Sequence, residues 1–204
     1  MRSRFSRNNK IKRNLNKRNI IIIITSIIFL ITVLFLLKYI TTVRTREGNN
    51  LRNKIYTFLS DKNNRVKAYE RAVKLNGGDS ANTCVYFLAE VLRNNNIDID
   101  DSVCNTQGLI KVLEKKGWKK ETDINKLKPG DICFTTDEKL SKKGTPTHAY
   151  VFMKWEKEGS TDYGYICDNQ AKDYDWKVYH LRNIGIKDGS GKSQKEPFSF
   201  FMYK

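Results

Sequence analysis

The chain has 204 residues and a formal net charge of +16, from 38 Lys and Arg against 22 Asp and Glu. Eleven of those basic residues lie at or before Arg46 with no acid among them, which leaves 27 basic and 22 acidic residues in the other 158. The excess there is that of an ordinary solvated surface, and no RNP-like, zinc-finger or helix-turn-helix pattern accompanies it, so no nucleic-acid partner is expected.

Residues 1–18 form a basic tail carrying Arg2, Arg4, Arg7, Lys10, Lys12, Arg13, Lys17 and Arg18. Residues 20–37 carry no charge, and only Thr25, Ser26 and Thr32 interrupt the apolar run. As a helix this stretch spans about 27 Å, close to the hydrocarbon thickness of a bilayer. Lys38, Arg44 and Arg46 follow, so the heavier basic side is N-terminal and predicts a cytoplasmic N-terminus with the rest of the chain outside. No small-x-small cleavage site follows the run, which favours an uncleaved signal anchor over a signal peptide. The expected organisation is a tail at 1–18, a transmembrane anchor at 19–40, a polar stalk at 41–50 and one domain at 51–204. A single-pass cell-membrane protein with an extracytoplasmic C-terminal domain follows.

The first half of that domain reads as helical, over 51–59, 65–75, 81–94 and 106–116. Before the third helix stands Asn76-Gly77-Gly78-Asp79-Ser80-Ala81-Asn82-Thr83-Cys84. The glycines break one helix, and Asp79 or Ser80 can cap the next by accepting from its free N–H groups. Cys84 then falls in or just after the first turn, where the helix dipole favours a thiolate. The same spacing puts Cys84 on a stripe with Ala81, Val85, Leu88, Val91 and Leu92, where a thiol is also an ordinary small core residue. No spacing among Cys84, Cys104, Cys133 and Cys167 suits a metal, so no metal or cofactor is expected. Cys133 and Cys167 read as free thiols in core strands.

The second half reads as strands. Leu127-Lys128-Pro129-Gly130-Asp131 is a turn that launches a strand over 132–135. Further strands are expected over 147–155, 163–168, 177–181 and 198–203. Helices followed by strands make an α+β domain with an antiparallel sheet. His148 lies in the second strand, inside an apolar run where an imidazole is costly without partners. With the turn centred near residue 158 or 159, His148 falls opposite Asp168, Asn169 or Gln170. The sequence leaves the choice among these three open. His180, at a strand end, reads as a surface residue.

A helix-borne Cys84, a strand-borne His148 and a third polar group come in the order of a thiol hydrolase. Together with the Leu127–Ile132 turn and the run Thr147-His148-Ala149-Tyr150-Val151, they resemble the NlpC and CHAP branches of the papain-like cysteine peptidases, over roughly residues 77–170. The resemblance implies a papain-like fold, with the helical half packed on an antiparallel sheet. It implies a cysteine peptidase or amidase that cuts amide bonds, in peptidoglycan stem peptides or another peptide substrate. Cys84 would be the nucleophile, His148 the base, and Asp168 or Asn169 the group that orients the base. The family's Asp-Cys-Ser-Gly is here Thr83-Cys84-Val85-Tyr86. That departure supports the alternative, a catalytically idle module of the same fold that binds cell wall or protein.

Overall fold

The structure is a computed structural model that describes residues 2–189 and 194–204, with side chains from Asn19 onward. The chain divides into two compact units, Met1–Arg46 and Glu47–Lys204. Within the first, helix α1 (Arg2–Ser60) carries the apolar run, and it is the one described helix long and apolar enough to cross a membrane. Its large side chains are exposed, Phe29 and Phe35 by 70% and 73%. The hydroxyls of Thr25 and Thr32 donate back to the carbonyls of Ile22 and Phe29. These two hydroxyls are thus satisfied inside the helix, as a lipid-facing segment needs. The residues expected as a stalk, 41–50, are helical and belong to α1.

The second unit takes in the last turns of α1, then α2 (Lys62–Leu75), α3 (Cys84–Asn94) and α4 (Thr106–Lys115). Asp61 caps α2 through the amides of Asn63 and Asn64, and Asn105 caps α4 through Gly108. Six strands follow: β1 (Lys119–Glu121), β2 (Ile132–Thr136), β3 (Pro146–Trp155), β4 (Tyr163–Cys167), β5 (Tyr179–Asn183) and β6 (Phe198–Tyr203). They form one antiparallel sheet in the order β1-β6-β2-β3-β4-β5. The domain is therefore α+β, with a helical first half on an antiparallel sheet.

Period-2 alternation divides the sheet into two buried faces. Ile132, Phe134, Ala149, Val151, Met153 and Cys167 face the helices and share a core with Ile55, Leu59, Val85, Leu88 and Leu92. Cys133, Tyr150, Phe152, Ile166 and Phe201 form a second, smaller core on the far side with Leu127 and Ile184. A register shift between Phe134 and Thr135 against β6 lets Phe198 and Phe200 fall into different cores although they are two residues apart. All five residues of β2 are buried because the strand is covered on both faces.

The turn before β2 is fastened to the end of α1. Asp131 is fully buried; it accepts from the Lys128 amide at 2.8 Å and pairs with Arg52 Nε at 2.6 Å. Gly130 has φ +90°, and a Cβ there would stand 2.2 Å from the Arg52 carbonyl oxygen. Asp131 thus serves the turn, and it also holds the helix against the sheet.

Candidate active site

α3 begins at Cys84 itself, with Thr83 in the cap position. Neither of the expected caps, Asp79 and Ser80, serves the helix. Asp79 accepts from the Ala81 amide in a local turn, and Thr83 turns its hydroxyl back to the Ser80 carbonyl at 2.8 Å. No side chain hydrogen-bonds the first amides of α3, because Asn82 at φ +57° redirects the chain just before the helix starts. The uncapped amides keep their partial positive charge beside the Cys84 side chain. Cys84 is 9% exposed, and α3 is apolar around most of its circumference, with Val85, Phe87, Leu88, Ala89, Val91 and Leu92 all buried.

The β3–β4 register pairs Val151 with Cys167. Continued by one residue, it sets Asp168 beside Tyr150, so His148 and Asp168 meet as diagonal neighbours rather than as an opposed pair. His148 Nε2 donates to Asp168 Oδ2 at 2.9 Å. Burial disfavours a charged imidazole at this position. The Asp168 hydrogen bond and the contact with the Cys84 side chain outweigh it and raise the His148 pKa to about 9. Burial likewise opposes charge on Asp168, and the His148 bond reverses the effect, holding the carboxyl below its ordinary value. The structure therefore brings together Cys84, His148 and Asp168.

Asn169 takes a different place. Its Nδ2 donates to the Ser80 carbonyl at 3.2 Å, tying the exit of β4 to the loop before α3, and it makes no hydrogen bond to the imidazole. Gln170 donates its backbone amide to Asp168 Oδ1 at 2.8 Å. With its side-chain amide oriented to satisfy both neighbours, Gln170 also donates to Asp168 Oδ2 at 3.3 Å and accepts from Lys195 Nζ at 3.1 Å. Of the three candidates for the group facing His148, Asp168 is the one in place.

α3 packs on the face of Ala149, Val151 and Met153, whereas His148 shares the opposite parity with Tyr150 and Phe152. His148 nevertheless reaches Cys84 because it lies near the start of β3, at the end of the sheet where β2 breaks register between Thr135 and Thr136. His180 is buried, 4% exposed, rather than on the surface. Its Nδ1 donates to the Lys177 carbonyl at 2.9 Å, and its ring stacks on Tyr174 with centroids 3.6 Å apart. Nε2 stands 3.7 Å from Asp168 Oδ1 without a hydrogen-bond partner. Burial lowers the His180 pKa, so this second imidazole is neutral beside the His148–Asp168 pair. Alternation along β5 sets the apolar Tyr179 and Leu181 on one face and His180 and Arg182 on the other, so the pattern carries no sign that the polar pair is buried.

The site opens into a cavity of about 190 Å³, lined in part by Asn82, Cys84, Thr147, His148 and Asn169. A larger cavity of about 250 Å³, around Leu140, Ile184 and Ile186, contains none of these side chains. All four cysteines are free; Cys104 is exposed, while Cys133 and Cys167 are buried on opposite faces of the sheet. Burial pushes both of those thiols well up, away from the reactive form. Compared with family models, with curated proteins and with solved structures, the chain gives no match in any of the three.

Proposed function

We propose that the chain is a membrane-anchored thiol hydrolase that cuts amide bonds outside the cell, with peptidoglycan stem peptides as its substrate. One observation carries the reading: a cysteine opening an uncapped helix adjoins an imidazole whose far nitrogen is bonded to a buried carboxylate. This is the arrangement of a nucleophile, a base and the group that orients the base. A papain-like relationship agrees with that arrangement and with the α+β architecture.

In this mechanism the thiol proton resides on His148, as its raised pKa favours, and Cys84 attacks the amide carbonyl carbon as a thiolate. The carbonyl oxygen becomes an oxyanion against the first amides of α3, each such donor contributing about 3 kcal/mol. His148 then gives its proton to the departing amine, leaving an acyl group on Sγ as a thioester. Water attacks the thioester, His148 accepts its proton, and the carboxylic acid leaves as the thiol is restored. Asp168 holds the imidazole in one tautomer and one orientation throughout. The basic flank ahead of the apolar run supports the outward placement of the domain.

The test is digestion of purified peptidoglycan and of model peptides by the full-length chain in detergent, read as new amino groups and product masses. Wild type should release products, and Cys84→Ser should abolish release while its circular dichroism stays unchanged. A Cys84→Ser protein that cuts as well as wild type contradicts the proposal. The departure at Val85-Tyr86 and the burial of Cys84 favour a second reading, a catalytically idle module. Binding of peptidoglycan without any cleavage, equal in wild type and Cys84→Ser, would support it.

A further inference from the structure

Arg182 is the charged group that this mechanism leaves unused. It projects from β5, is 2% exposed and lines the Cys84 cavity. Its Nη2 donates to the Glu196 carbonyl, and its guanidinium lies over the Tyr150 ring at 5.5 Å. Nε and Nη1 are buried with no hydrogen-bond partner. A desolvated guanidinium with two idle donors is costly unless an anion completes it. No carboxylate among the described residues does so. Asp168 is engaged by His148 and Gln170, and the Glu196 carboxylate pairs with Lys187 at 2.9 Å. A second cation, Lys195, lines the same cavity and is paired with Asp173.

We propose that Arg182, assisted by Lys195, makes this cavity a carboxylate subsite, so that the amide cut by Cys84 belongs to a peptide carrying a carboxylate close to the scissile carbonyl. The inference rests on Cys84 being the nucleophile. Each free N–H of the Arg182 guanidinium offers a carboxylate oxygen one charge-assisted hydrogen bond. The cavity is small, so the carboxylate and the scissile carbonyl enter it together. A carboxylate seated on Arg182 would also draw the acyl group toward Cys84 before reaction, which raises the effective concentration of the amide at the thiol. Both a peptide's C-terminal carboxylate and an acidic side chain offer this chemistry.

Alkylation of the full-length chain in detergent tests the subsite without any assumed substrate. Iodoacetate carries a carboxylate and iodoacetamide does not, and exposed Cys104 supplies the reference ratio within the same molecule. The ratio of iodoacetate to iodoacetamide rates at Cys84 should exceed that at Cys104 by about tenfold, the scale of one charge-assisted hydrogen bond. Arg182→Gln should lower the Cys84 ratio by a similar factor, and Arg182→Lys should retain part of it. A ratio at Cys84 equal to that at Cys104 in the wild type overturns the subsite, whether or not the variants fold, and leaves the nucleophile intact. Failure of both reagents to label Cys84 overturns the subsite and the thiol reading together. Protection of Cys84 from iodoacetamide by N-acetylglycine identifies a C-terminal carboxylate as the ligand. Protection by the α-amide of N-acetylaspartate, with only its side-chain carboxylate free, identifies an acidic side chain. Protection by neither beyond that of N-acetylglycinamide again overturns the subsite.

Discussion

Burial works against a charged His148, yet Asp168 and Cys84 together raise its pKa to about 9. The folded value lies above the unfolded value of about 6.5. The stabilisation is therefore complete below about pH 6.5 and is lost as pH rises through about 9, an effect on the order of 3 kcal/mol. Thermal unfolding of the full-length chain should show the midpoint of the second unit falling between pH 7 and 9.5. Asp168→Asn should flatten that slope, since it removes the partner that holds the proton. A wild-type midpoint that rises across this interval would contradict the assignment. Much of this site was legible in the sequence, because its members announce themselves by breaking local patterns: a cysteine at a helix start, a histidine in an apolar strand, a polar triplet after a strand. The selection of Asp168 over Asn169 and Gln170 was not legible. It depends on a diagonal contact at a strand end, which the turn between β3 and β4 alone does not determine.

The elements that carry a strong apolar period were legible to within a few residues, namely α2, α3, α4, β2, β3 and β6. β1 was not, because Lys-Lys-Glu has no apolar alternation and exists as a strand only by pairing with β6. β5 lies two residues further along than the pattern suggested, a shift that keeps parity, and His180 and Arg182 are buried by what packs on them. Tyr174 stacks on His180, and Arg182 meets the distant stretch leading to β6 at the Glu196 carbonyl; no periodicity within β5 encodes either contact. The turn at Gly130 offers a sharp test at this scale. Gly77 also has positive φ, +68°, but nothing lies within 4 Å of a Cβ placed there, whereas at Gly130 the Arg52 carbonyl blocks one. Gly77→Ala should cost about 1 kcal/mol in denaturant unfolding, from backbone strain alone. Gly130→Ala should cost clearly more, since α1 must also shift. Asp131→Ala should cost about 3 kcal/mol by leaving Arg52 without its buried partner. Equal costs for the two glycine changes would contradict the close approach of α1 to this turn.

At the scale of the whole molecule, the net charge divides between two tasks. The basic tail and the three cations after the apolar run hold +11 of the total, and the α+β unit carries little. That division fits a span oriented by its N-terminal charge and a domain that meets its ligand through local chemistry rather than a broad field. Protease added to intact protoplasts should digest the α+β unit and leave a membrane-held fragment containing the apolar run. Full protection of the unit in intact cells, with digestion after lysis, would place it inside and exclude a cell-wall substrate.

The central claim is that His148 activates Cys84, and the rate of Cys84 alkylation by iodoacetamide measures this directly. The four free thiols provide their own controls, with Cys104 exposed and Cys133 and Cys167 buried. At pH 7, mass spectrometry of timed digests of the full-length chain should show Cys84 labelled fastest, ahead of the more exposed Cys104. His148→Ala should slow Cys84 about tenfold or more and leave Cys104 unaffected, since general-base assistance is typically worth at least that much. Labelling of Cys84 as slow as that of Cys133 and Cys167, and indifferent to His148→Ala, would contradict the account and leave Cys84 a core residue.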